Sequence, residues 1–212
     1  MKRKKIPDEA VRRLPIYLRG LLSLSQQGQE NISSKRLAAF IGTNHCQIRK
    51  DLSYFGGFGT PGIGYNIEKL IRQIRKILKL SMVHKAALVG VGNLGLAVLR
   101  YPGFGIFGFH IVAAFDNDPE KVGRRVGNIT VEDVSNLKAL QQRKIKIGII
   151  TVPCEAAQET FDKLVTAGIK GILSFSPCYK KGRKKVKVIT IDIAMDLARL
   201  PYYIATRTIT RP

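Results

Sequence analysis

Apolar residues recur at helical spacing through the first third of the chain, then give way to short apolar runs separated by amphipathic stretches. Leu14, Ile16, Leu18, Leu21 and Leu22 predict a first helix over Arg12–Leu24. Pro15 suits it only in the first turn, where a missing N–H costs little. The polar stretch Gln26–Asn31 contains Gly28 and reads as a loop. Ser33 and Ser34 are caps for a short helix through Lys35–Ile41, which Gly42 ends. Thr43 or Asn44 caps the next helix, and Gln47 stands three residues after Asn44, as a capping box requires. Two short helices around a glycine turn form a helix-turn-helix pattern.

On the second of these helices Ile48, Leu52 and Phe55 fall on one face, and Cys46, Arg49, Lys50 and Ser53 turn to the other. One face packs into a core and the other is free to enter a DNA groove. Gly56–Tyr65 reads as a small hairpin, with Pro61-Gly62 in the central positions of a type II turn. A hairpin directly after a recognition helix is a wing. Asn66 then caps a helix with Ile67, Leu70, Ile71, Ile74, Ile77 and Leu78 on its apolar side. Lys69, Arg72, Arg75, Lys76 and Lys79 make up its basic side. These elements define a head over residues 1–80, and residues 81–84 read as a linker.

From Lys85 strands and helices alternate. Strands are expected near Ala86–Val89, Ile111–Phe115, Ile145–Thr151, Gly171–Phe175 and Val186–Ile191, and helices near Asn93–Arg100, Glu132–Gln142 and Glu155–Ala167. The alternation predicts a parallel sheet covered on both faces over residues 85–191. A last helix is expected at Ile193–Ile204, bent or shortened by Pro201, within a C-terminal segment 192–212.

Gly90-Val91-Gly92-Asn93-Leu94-Gly95 follows an apolar strand and opens a helix, the context that gives a G-x-G-x-x-G string meaning. Gly90 permits the tight turn, Gly92 lets the backbone approach a pyrophosphate, and Gly95 lets helix and strand pack closely. The diphosphate rests on the helix N-terminus, where N–H groups and the dipole favour anions. Asp116 closes the second strand about 20 residues on, where a carboxylate accepts from ribose hydroxyls and repels a 2′-phosphate. The reading is therefore NAD(H) over NADP(H), although Arg124 and Arg125 lie nearby. Thr151-Val152-Pro153 ends a later strand at the ligand-binding edge and either lines the nicotinamide side or serves as a strand-ending turn.

Charge sharpens the picture. The 212 residues hold 36 Lys+Arg against 15 Asp+Glu, a formal charge of +21. Such an excess favours polyanions by steering and counterion release. Cys46, Cys154 and Cys178 are odd in number and widely spaced, with no metal-ligand pattern. No apolar run reaches a membrane span, and Pro7, Asp8 and Glu9 interrupt any signal-like segment after Met1–Lys5, so a reducing cytoplasm is expected.

Gln47 through Gly56 with its glycine-rich wing resembles the DNA-reading segment of the Rex family of redox-sensing bacterial transcriptional repressors. Val89–Gly95, Tyr101-Pro102-Gly103-Phe104, Phe115-Asp116, Asp118–Gly123, Thr151-Val152-Pro153 and Gly168–Leu173 are similar to its nucleotide domain. The resemblance runs from Arg13 to about Tyr203. It implies a homodimer with an N-terminal winged helix-turn-helix, a Rossmann-type doubly wound parallel sheet, and a C-terminal helix swapped between subunits. It also implies binding to a palindromic double-stranded DNA operator when NAD⁺ dominates, and release when NADH, the effector, binds. The family's interdomain contact falls on Arg19, Tyr101 and Asp192 of the partner subunit. Ile193 stands where some relatives carry an aromatic residue.

The DNA-facing candidates are Lys35, Gln47, Arg49, Lys50, Ser53 and Tyr54. Arg49 and Lys50 suit base edges or phosphates, and Ser53 and Tyr54 suit phosphates. The candidate nucleotide contacts are Gly90, Gly92, Asn93, Leu94, Gly95, Asp116, Thr151, Val152 and Pro153, with Tyr101 and Phe104 toward the nicotinamide. Lys2–Lys5 is an arm for the minor groove or a free tail, and Lys180–Lys187 a solvated basic loop or an extra DNA contact. Two rivals are a constitutive DNA-binding regulator holding NAD for stability, and an NAD-dependent oxidoreductase. The second needs a proton-transfer group beside the nicotinamide. His45, His84 and His110 are not expected there, and Cys154 has no His beside it in sequence.

Overall fold

The computed structural model describes residues 6–176 and 186–206 and divides into two compact units, one ending at Met82 and one beginning at Val83. The first unit opens with α1 (Asp8–Gln26), then β1 (Asn31–Ile32), α2 (Ser34–Ile41), α3 (His45–Ser53), β2 (Tyr65–Asn66) and α4 (Ile67–Ile77). Leu14, Tyr17, Leu18 and Leu21 of α1 are buried, as are Leu37 of α2, Ile48 and Leu52 of α3, and Ile67, Leu70 and Ile74 of α4.

Helix α1 starts a turn earlier than its apolar rhythm announced, with Asp8 and Glu9 complementing the N-terminal dipole. Pro15 therefore lies in the helix interior, not in its first turn. Its face is exposed, so the carbonyl left without a donor is not shut away from water.

Ser33 accepts from the Arg36 N–H to cap α2, Asn44 from the Cys46 N–H to cap α3, and Asn66 from the Lys69 N–H to cap α4. The capping box does not form. Gln47 does not reach back toward Asn44; its amide donates to Asp51 at 2.7 Å. The wing turn is as its residues require. Ile63 N–H donates to the Thr60 carbonyl at 3.1 Å, and Gly62 takes the positive φ (+79°) that the third position of a type II turn demands. Tyr65 then pairs with Ile32, so a strand residue directly follows the expected loop Gln26–Asn31, and Asn31 itself is in β1.

The second unit runs β3 (His84–Val89), α5 (Asn93–Arg100), a 3₁₀ segment (Pro102–Phe107), β4 (Phe109–Asp116), β5 (Arg125–Val126) and β6 (Ile129–Asp133). A second 3₁₀ segment (Val134–Lys138), α6 (Ala139–Gln142), β7 (Ile147–Ile150) and α7 (Cys154–Thr166) follow. The unit ends with β8 (Gly171–Ser174), β9 (Lys187–Thr190), α8 (Ile193–Ala198) and α9 (Leu200–Thr206). The sheet order is β5-β6-β4-β3-β7-β8-β9, parallel throughout except for the short edge pair β5–β6. Setting β5 aside, this is the 3-2-1-4-5-6 order of a Rossmann sheet, with its switch point between β3 and β7.

His84 belongs to the first strand and not to a linker. The helix expected at Glu132–Gln142 is largely replaced. Val131 is buried in β6, Asp133 caps a 3₁₀ turn by accepting from Ser135 N–H, and only Ala139–Gln142 is α-helical. The C-terminal helix is broken at Arg199 into α8 and α9, two residues before Pro201. Ile193, Met195, Leu197, Tyr202 and Ile204 there are all more than half exposed in the single chain. Lys2–Lys5, Cys178 and most of the Lys180–Lys187 run lie outside the described residues.

Candidate nucleotide site and nucleic-acid interface

At the switch point a cavity of about 750 Å³ opens at the C-terminal ends of the strands. Gly90, Gly92, Asn93, Leu94, Asp116, Thr151, Val152 and Pro153 line it. Gly90 stands at φ +100°, and a Cβ there would meet the Thr151 and Val152 backbone at 2.8 Å. Gly95 is buried behind the turn, where a Cβ would collide with the Gly90 carbonyl. A Cβ at Gly92 would instead meet nothing within 4 Å. Gly92 is the N-cap of α5, and no side chain caps that helix. A backbone bare of side chains, facing a cavity at a helix N-terminus, fits a pyrophosphate.

Two contacts fasten the turn. The Val91 N–H donates to Asp116 Oδ2 at 2.6 Å, and Thr151 Oγ1 lies 2.7 Å from the Gly90 carbonyl as its donor. Asp116 is buried, and its Oδ1 accepts from the Asp118 N–H at 3.0 Å. Lys121 Nζ stands 3.2 Å from Asp118 and 3.6 Å from Asp116. The Lys121 ammonium is raised above its ordinary value, first by its bond to Asp118, so it stays charged at neutral pH. Each Asp116 oxygen still has acceptor capacity for a ribose hydroxyl.

Ala156, Glu159, Thr160 and Lys163 of α7 also line the cavity, and sequence reasoning missed them. Their signal was present: 156, 160 and 163 repeat at i, i+4 and i+7 directly after the Thr151-Val152-Pro153 edge. Tyr101 and Phe104 do not line this cavity. Phe104 lines a separate apolar cavity of about 380 Å³, and exposed Tyr101 packs edge-on against Phe104 with ring centroids 5.2 Å apart. His45 lies on α3, and His84 stacks on Phe109 at 5.2 Å. His110 is exposed on β4. Cys154 opens α7, is exposed, and also lines the cavity. Among the described residues no cluster of His, Cys, Asp or Glu could hold a metal.

In the first unit Cys46, Arg49, Lys50 and Ser53 are exposed on α3, opposite buried Ile48 and Leu52. Arg49 donates to Ser34 Oγ at 3.2 Å and to His45 Nδ1 at 2.9 Å, which fixes its guanidinium above α2 and α3. Ser53 Oγ donates to the Lys50 carbonyl. A groove of about 760 Å³ runs between the N-terminus of α2, helix α3 and the wing, lined by Lys35, Arg49, Ser53 and Thr60. Tyr54 is half-buried at the end of α3.

Beneath this face Asp51 is fully buried, a residue the sequence reading did not single out. Arg13 bonds it from both Nε and Nη2, and Tyr17 Oη donates to it at 2.6 Å. Burial raises the carboxyl pKa, but the bonds from Arg13, Tyr17 and Gln47 outweigh it and hold the group below its ordinary value. Burial and then the bond to Asp51 push the Tyr17 phenol up, so it remains a donor.

Residues 82–178 match the family described as a CoA binding domain, and residues 5–53 the one described as "Putative DNA-binding protein N-terminus". The chain is 44% identical over 200 residues to the redox-sensing transcriptional repressor Rex of Chloroflexus aurantiacus, covering 94% of each chain. A crystal structure of RSP with β-NAD⁺ and operator DNA aligns with TM-score 0.89 at 35% identity, over 97% of this chain and 95% of that one. RSP with β-NADH aligns with TM-score 0.86 at 33% identity, over 96% of both.

Proposed function

The chain belongs to the Rex family of redox-sensing transcriptional repressors, and we propose that it represses by binding a palindromic operator as a homodimer and lets go when NADH binds. Residues 1–80 serve as the DNA-binding head, joined through 81–83 to the nucleotide-binding body that begins with His84 of β3 and runs to 191, and 192–212 serve dimerisation. The observation that carries this reading is the pairing, in one chain, of an exposed basic helix with a glycine-lined cavity. The cavity ends in Asp116, the residue type that selects NAD(H). It is a regulator and not an enzyme, in keeping with the repressors it resembles. Its proposed location is the cytoplasm; no helix among the described residues is long and apolar enough to cross a membrane.

On the DNA side, two α3 helices enter successive major grooves one helical turn apart. Arg49 and Lys50 meet base edges and phosphates, while Lys35 and Ser53 take phosphates along the groove beside the wing and Tyr54 takes one at the end of α3. On the nucleotide side, Gly92, Asn93 and Leu94 present the α5 N-terminus to the diphosphate, Asp116 holds the adenosine ribose, and Thr151-Val152-Pro153 border the nicotinamide half. The nicotinamide supplies the signal, charged and planar in NAD⁺ and neutral in NADH. Tyr101 and Phe104, which lie outside the cavity of the single chain, and Ile193 are proposed to read that difference once the dimer forms, with Arg19, Tyr101 and Asp192 of the partner subunit as its relay to the head. The exposed apolar side chains of α8 and α9 support their burial in a dimer.

A 100-fold loss of operator affinity corresponds to about 2.7 kcal/mol of coupling, within the ordinary allosteric range. The test is direct titration of labelled operator duplexes with wild type and with the Arg49→Ala/Lys50→Ala double variant. Strong binding lost in the variant supports the assignment, and binding retained in the variant overturns it.

A further inference from the structure

Gln47 occupies the flank of α3, half-buried, between the exposed Lys50 side and the buried Asp51 side. Its amide lies 2.7 Å from Asp51 Oδ1. Asp51 is a carboxylate and only accepts, so the amide nitrogen must be the atom that faces it. The four donors divide evenly between its two oxygens. Oδ1 takes Gln47 Nε2 and Arg13 Nη2, and Oδ2 takes Arg13 Nε and Tyr17 Oη. All four acceptor positions of a fully buried carboxylate are filled, which leaves the amide no freedom to flip.

This arrangement has a consequence for base reading. A primary amide has two N–H bonds, one beside its own oxygen and one pointing away. Giving Asp51 the N–H that points away leaves the oxygen and the N–H beside it as an ordered acceptor–donor pair. That pair complements the N6 amino donor and N7 acceptor that adenine shows in the major groove. It does not match guanine, whose O6 and N7 are both acceptors.

We propose that Gln47, oriented by the buried Asp51–Arg13–Tyr17 cluster, reads one adenine in each operator half-site, with Asp51 as its positioning residue. The proposal rests on the DNA-binding reading above and deepens it by naming the base and the group that selects it. Arg49 and Lys50, exposed on the same helix, carry the phosphate and guanine contacts around it.

The experiment uses the full chain and an inverted-repeat duplex selected from a randomised pool by its binding to wild type. At each adenine of a half-site, in turn, 7-deazaadenine removes the N7 acceptor and purine removes the N6 amino donor. At one position both replacements weaken wild-type binding about tenfold, and Gln47→Ala binds all three duplexes there equally. Asp51→Asn, compared at a temperature where its circular dichroism is still native, loses discrimination at that same position and keeps the wild-type salt dependence. Base-side replacement keeps the test decisive even if Asp51→Asn does not fold. A Gln47→Ala protein with the wild-type base profile overturns the proposal while leaving DNA binding intact. Failure of wild type to select any duplex overturns the DNA-binding reading, and this proposal with it.

Discussion

The backbone N–H of Val91 donates to the carboxylate of Asp116 at 2.6 Å, tying the second residue of the glycine turn to the last residue of the neighbouring strand. One carboxylate thus shapes the glycine turn and lines the cavity that the turn faces. Asp116→Ala is expected to remove both functions. NADH affinity falls at least tenfold, and the preference for NADH over NADPH narrows because the charge that repels a 2′-phosphate is gone. Isothermal titration with the two dinucleotides measures both effects.

Gly95→Ala is expected to act through shape alone. Its Cβ would be driven onto the Gly90 carbonyl and within 3.2 Å of Thr151 Oγ1. The backbone there has no flexible side chain to yield, so the turn must move. NADH affinity is expected to drop more than tenfold, while the head, a separate compact unit, keeps its secondary structure and its DNA affinity without nucleotide. Fluorescence titration of NADH and operator binding without nucleotide check the two halves.

Acid should weaken the head through Asp51. Its carboxyl sits below the ordinary value of 3.8 in the folded chain, so ionised Asp51 stabilises the fold above that pH. The contribution is lost as pH falls from 3.8 through the folded value. Asp51→Asn breaks a pair in which the carboxylate is buried and Arg13 is partly exposed, at a cost of about 3 kcal/mol near pH 7. Denaturant unfolding at pH 7 and at pH 3 is expected to show the gap between wild type and Asp51→Asn shrinking at the lower pH.

Pro15→Ala should stabilise. Proline in a helix interior costs about 3 kcal/mol against alanine, and the lost rigidity of the unfolded chain returns about 1 kcal/mol of that. Pro15 lies on the exposed face of α1, so the substitution disturbs no packing. A gain of about 2 kcal/mol in head stability by chemical denaturation is expected, with operator affinity unchanged.

The legible parts of the chain are those whose physics is local. The Rossmann turn, the Pro61-Gly62 turn and the Asn44 and Asn66 caps each depend on a few adjacent residues, and each forms as read. Glu132–Gln142 misled because a helix-like composition does not reveal that Val131 pairs with Ala114 in the sheet. Pro15 misled because the start of α1 depends on Pro7 and two acidic residues outside the apolar rhythm. Asp51 was opaque for a different reason. In sequence it is one acid in a basic helix, and the Arg13 and Tyr17 that bury its charge lie 38 and 34 residues earlier. The α7 residues along the cavity carry a helical repeat in sequence, but it points to the cavity only because the β3–β7 switch point brings Thr160 and Lys163 to the same cavity as the glycine turn.

The account stands most directly on the link between nucleotide and DNA. Fluorescence polarisation of an operator duplex bound by the full chain, titrated separately with NADH and NAD⁺ at fixed salt, reads that link in one experiment. Release by NADH at concentrations where NAD⁺ leaves the complex intact is the predicted result. Operator binding indifferent to both dinucleotides would contradict it and leave a DNA-binding protein whose nucleotide is structural.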